Sequence, residues 1–107
     1  MKWNFKVMVL KNNLAEHEGL TKADSLEMLL KNGVINRRIL AAITLAFVES
    51  YGLDETPEVI VLDDLSKLSR RSLLRQPNFG ISSVEYIEKL CATVGVHLLD
   101  QKANPPQ

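Results

Sequence analysis

The chain has 107 residues, of which 46% are hydrophobic and 24% charged, one domain's worth of ordinary globular composition. A single cysteine, Cys91, excludes an intrachain disulfide and a cysteine metal cluster, and no apolar run approaches the ~20 residues needed to cross a bilayer. The formal net charge of zero hides a gradient: about +1 over residues 1–34, about −4 over 35–64 and about +3 over 65–107.

Trp3, Phe5, Val7 and Val9 alternate with polar or flexible neighbours, the period of a short strand. The stretch is too short for a cleavable leader, so the reading is a cytoplasmic protein. Val59-Ile60-Val61-Leu62 is the other β-branched run and the natural partner for that strand, although Pro57 also allows a helix to start there. The first helix is predicted over Thr21–Asn32, opened by Thr21 and Asp24 as an approximate capping box and closed by Asn32-Gly33. The second runs from Asn36 to Tyr51, with Ile35, Ile39, Ile43, Phe47 and Tyr51 recurring every four residues, and Gly52 ends it. These two helices also have the outline of a helix-turn-helix, with Arg37 and Arg38 opening the second. That helix is apolar on most faces, so core packing accounts for it better.

Asp63–Leu68 suggests a helical turn. Ser69 is placed to cap a helix over Arg70–Gln76, with Leu73 and Leu74 facing inward. A loop, Pro77-Asn78-Phe79-Gly80, leads to a last helix starting near Ser82, where Ser82 and Glu85 form a capping-box pair. Val84, Ile87, Leu90 and Cys91 are its inner stripe, Gly95 ends it, and Lys102–Gln107 form a tail.

The informative stretch is Leu73 to Ile87: a helix ending on leucines, a short loop with Phe79 and Ile81 on either side of Gly80, and a second helix. This spacing matches a helix-hairpin-helix. Phe79 and Ile81 would hold the loop in the core, and Asn78 tolerates a left-handed backbone. Gly80 puts no side chain between the backbone and a ligand. The free N–H groups opening the last helix suit a phosphate, and such contacts fix position without reading bases. Lys67, Arg70, Arg71 and Arg75 cluster nearby without an acid among them, as a phosphate-binding surface requires; a solvated helix face has the same pattern.

The string Leu73-Leu74-Arg75-Gln76-Pro77-Asn78-Phe79-Gly80 follows Asp63-Asp64-Leu65. Ser83, Ile87, Leu90, Gly95-Val96-His97-Leu98 and Asn104-Pro105-Pro106 come after it. Together they resemble the C-terminal domain of the bacterial RNA polymerase alpha subunit, without a gap from Asp63 to the chain end. The resemblance implies a domain that contacts the DNA minor groove upstream of promoters, prefers A/T-rich sequence and docks transcription activators. That family's DNA surface uses the hairpin glycine, a lysine and a serine opening the last helix, a basic residue ahead of the hairpin, and a first-helix arginine followed one turn on by asparagine. Gly80 matches the glycine, Ser83 the serine and Arg75 the basic residue. Ser82 stands where the lysine is expected. Arg38 matches the arginine, which puts Ala41 at the asparagine position, and the connection from Arg38 to Asp64 is longer than the family's. An ungapped alignment puts Glu49 at the arginine position instead.

Nothing points to catalysis. His17 and His97 lack ordered acid partners, Ser82 and Ser83 lack a base to activate them, and Asp63-Asp64 suit a helix start better than a metal. No phosphate loop or dinucleotide fingerprint occurs. The expectation is a mostly α protein, a compact bundle of about four to five short helices with a helix-hairpin-helix, plus a short N-terminal strand. Residues 1–34 extend a core at 35–100, and 101–107 trail from it. The chain begins at Met1 without the assembly domain that precedes this module in the alpha subunit, so a free-standing relative is expected. The expected activity is non-enzymatic DNA binding without cofactor, membrane or small-molecule substrate, through Arg38, Arg70, Arg71, Arg75, Asn78, Gly80, Ser82 and Ser83. RNA polymerase or a transcription factor is the further expected partner. The alternative is a protein-interaction module of the same fold that has lost DNA binding, which the acidic residues 49–64 and the missing lysine favour.

Overall fold

A computed structural model describes residues 20–100, and the long helix α2, Arg37–Tyr51, runs through its centre. Around it lie α1 (Leu26–Lys31), a 3-10 turn at Leu53–Glu55, a second at Leu62–Lys67, α3 (Arg70–Leu74) and α4 (Ile81–Ala92). The described chain is mostly helical, and no helix in it is long and apolar enough to cross a membrane. The alternating segment Trp3–Val9, read as a strand, and the tail from Lys102 lie outside the described residues.

Helix α2 is specified at both ends. The Asn36 side chain accepts from the Ile39 N–H at 2.9 Å, and Gly52, at φ 89°, stops the helix in a conformation that L side chains rarely adopt. Its four-residue apolar repeat buries Ile39, Ile43 and Phe47, joined by Ala42 and Ala46. Full burial of side chains such as Ile43 and Phe47 stabilises by roughly 1.5–3 kcal/mol each. They share one core with Leu26 and Leu29 of α1, Leu62, Leu65 and Leu68, Leu73 of α3, Val84, Ile87, Leu90 and Cys91 of α4, and Val96 and Leu98 beyond it. Tyr51 departs from this stripe: it is exposed, and its hydroxyl donates to the Lys67 carbonyl at 2.7 Å.

Three sequence expectations change. Helix α1 starts at Leu26, capped by Ser25, which accepts from the Met28 N–H at 3.1 Å. Thr21 and Asp24 close a separate turn before it, with the Thr21 N–H donating to Asp24 Oδ2 at 2.9 Å. Residues 22–25 are drawn out of the helix because their backbone pairs with residues 60–63. The Leu62 N–H donates to the Asp24 carbonyl and the Asp63 N–H to that of Lys22, with one antiparallel bridge between Ser25 and Val61. The run Val59–Leu62 therefore forms no strand of its own; it ends in the 3-10 turn, whose Asp64 accepts from the Val61 N–H at 3.0 Å.

Second, α3 ends at Leu74, not at Gln76. The residue before a proline avoids the helical region, and the Gln76 N–H bends back to the Leu73 carbonyl at 3.1 Å. Leu73 is buried, but Leu74 points outward. Third, α4 starts at Ile81, because Gly80 serves as its N-cap and its carbonyl accepts from the N–H groups of Ser83 and Val84. Ser82 therefore lies inside the first turn and caps nothing. Ile81 is 53% exposed, because the first turn of α4 stands beyond the core that Phe79 closes.

Candidate functional site

The loop between α3 and α4, residues 75–80, is held by side chains. Phe79 is buried in the common core, and Asn78 takes a left-handed backbone at φ 60°, as its residue type allows. Gln76 is buried, and its amide nitrogen donates both to Glu49 Oε1 and to the Ser72 carbonyl, each at 3.0 Å. Across the loop, Arg38 from the first turn of α2 donates through Nη1 to the Asn78 carbonyl at 3.4 Å. Two residues of α2, Arg38 and Glu49, thus grip the same loop from opposite ends of that helix.

Gly80 follows. Its φ of −100° and ψ of −173° are extended values open to any residue, and a Cβ added there meets nothing within 4 Å. Neither backbone strain nor packing inside the chain demands glycine. The amides of Ile81 and Ser82 open α4 with no intrahelical acceptor, as in any helix. The Ser82 side chain is exposed and Ser83 half-buried beside them. Arg75, at the C-cap of α3, is exposed at the start of the loop. Arg38, Arg75, Asn78, Gly80, Ser82 and Ser83 therefore gather on the loop and on the elements that touch it.

Arg70 and Arg71 have other duties. The Arg70 guanidinium lies 3.4 Å from Glu88 and 3.8 Å from Glu85, both on α4, so its charge is balanced within the chain. The Arg70 N–H donates to Asp100 Oδ1 at 2.7 Å and the Arg71 N–H to Asp100 Oδ2 at 3.4 Å. Asp100 thus caps α3 from a distant part of the sequence, alongside the local cap Ser69, which accepts from the Ser72 N–H at 3.0 Å. No local pattern marks Asp100 as a cap. The Glu49–Gln76 contact has no local signal either, because 27 residues separate the pair.

Helix α4 is fixed behind the site by Tyr86, whose hydroxyl donates to the Val34 carbonyl in the turn ahead of α2. Burial pushes the Tyr86 phenol up to about 12. Burial, with Glu88 adding its negative charge, pushes the Cys91 thiol up to about 12 as well. Cys91 is thus a neutral core residue rather than a reactive one. No family model, curated protein or solved structure matches this chain.

Proposed function

We propose that this is a non-enzymatic, transcription-associated DNA-binding protein, related to the C-terminal domain of the RNA polymerase alpha subunit. It holds DNA phosphates at the start of α4. The observation that carries this reading is Gly80. Glycine is an accepted N-cap residue, and here it leaves open space around an unstrained backbone, so that the amides opening α4 are reached with no side chain in the way. Close approach of an external backbone is a reason for glycine that the chain's own packing does not supply.

A phosphate at this point would accept from the Ile81 and Ser82 amides and from the Ser82 and Ser83 hydroxyls, with the helix dipole behind them. Arg38 and Arg75 supply the charge, and Asn78 shapes the loop. Arg71 lies one turn back along α3 as a peripheral cation. Arg70 contributes little, because Glu85 and Glu88 already neutralise it. A few phosphate contacts correspond to dissociation constants of roughly 1–100 μM that weaken steeply with salt. A labelled A/T-rich duplex, titrated at low and at moderate salt, tests this. Substituting Arg38 or Arg75 by alanine should weaken binding several-fold, and Arg70→Ala should change it least of the three. Equal loss from all three would contradict the assignment.

A further inference from the structure

Residues 51–59 form an exposed loop that presents apolar side chains to solvent from a fixed backbone. Leu53 is 75% exposed, Val59 52% and Tyr51 43%. The loop does not owe this exposure to slack. The Glu55 N–H donates to the Gly52 carbonyl and the Thr56 N–H to that of Leu53, each at 3.2 Å, and the Thr56 hydroxyl donates to Gly52 at 2.8 Å. The Tyr51 hydroxyl ties the loop to the Lys67 carbonyl. Met28, Leu45, Leu74 and Ile81 are also exposed, but each belongs to a different helix and Leu99 follows the last of them, and a single exposed leucine, isoleucine or methionine is normal.

The rim of this patch is acidic. Asp54, Glu55 and Glu58 are exposed, and from Glu49 to Asp64 there is no lysine or arginine. The next cation along the chain, Lys67, lies 3.9 Å from Asp64. Three exposed apolar side chains within nine residues, with exposed acids of one sign between them, are the composition of a docking surface, in which apolar contact anchors a partner and charge selects and steers it. We propose that the loop Tyr51–Val59 docks a protein partner through a basic segment with apolar residues at its centre. Leu53 and Val59 would insert among those residues, and Asp54, Glu55 and Glu58 would face flanking lysines or arginines. This surface is separate from the α4 start and does not depend on DNA binding there.

The test is a titration of the 15N-labelled full chain with a synthetic peptide in which two leucines are flanked on each side by lysine and arginine. Amide shifts should concentrate between Tyr51 and Val59. Leu53→Ser should weaken binding at least fivefold, and so should the pair Asp54→Asn and Glu55→Gln, while the spectrum of residues outside the loop stays unchanged. The same peptide with glutamates in place of its basic residues, or with serines in place of its leucines, should not bind. Equal shifts from these controls, shifts centred on the α3–α4 loop, or no shift at all would overturn the proposal. Concentration-dependent shifts of the Tyr51–Val59 amides without peptide would overturn it too, by making a second copy the occupant.

Discussion

Two exposed loops of this molecule, at 75–80 and 51–59, are ordered by opposite means. The loop at 75–80 sends side chains inward: Phe79 into the core, Gln76 to Glu49 and to its own helix. The loop at 51–59 sends almost nothing inward before Ile60, and its order comes from short-range hydrogen bonds onto Gly52 and Leu53. The first therefore presents backbone at its tip, with cations beside it. The second presents side chains, apolar in the centre and acidic at the rim. A loop with inward side chains is suited to offering amides to an anion; one with outward side chains is suited to offering apolar surface to a protein.

This contrast predicts a steep difference in stability effects. Phe79→Ala should cost about 3–5 kcal/mol in urea unfolding, because it empties a core position, whereas Leu53→Ala should stay within about 0.5 kcal/mol of wild type. Comparable losses at both positions would erase the distinction. Gln76→Ala should cost about 1–3 kcal/mol, since it removes one buried and one part-buried hydrogen bond and frees Glu49 from the loop. Thr56→Ala, the loop 51–59 counterpart, removes one hydrogen bond at the surface and should cost only about 0.5–1 kcal/mol.

Alkaline pH should act through α4. Tyr86 and Cys91 have folded-state values raised to about 12 from ordinary values of 10.0 and 9.0. The unfolded chain therefore releases these protons first. The stability they confer is complete below pH 9 and falls as pH rises from 9 towards 12. Urea midpoints measured across that interval should fall, and Tyr86→Phe should fall less steeply.

The long elements were legible because their signals are local. Asn36, the Ile39-Ile43-Phe47 repeat and Gly52 mark α2 without help from the rest of the chain, and the Val84-Ile87-Leu90-Cys91 stripe marks α4 equally well. The start of α1 was not legible, because residues 22–25 are taken by a backbone pairing with residues 60–63 that no local pattern announces. The site was legible in part. Asn78 in its left-handed conformation and Phe79 in the core follow from residue type and spacing. Ile81 and Ser82 differ from the sequence expectation for one reason: Gly80 starts the helix about two residues earlier than the Ser82–Glu85 pair suggests, which moves both side chains. Arg70 looked like free charge along the sequence, because Glu85 and Glu88 reach it only through the packing of α3 on α4.

The geometry at Gly80 makes one variant unusually informative. Gly80→Asp places a favoured N-cap residue in open space on an extended backbone, so the fold should be as stable as wild type or slightly more so. The new carboxylate would occupy the amides that a phosphate needs and repel the phosphate itself. Titrating wild type and Gly80→Asp with a labelled A/T-rich duplex at low salt, alongside their urea melts, is therefore the most direct test. The account predicts equal or higher stability and a loss of DNA affinity of at least tenfold. Identical DNA affinity in the two proteins, with stability preserved, would contradict it.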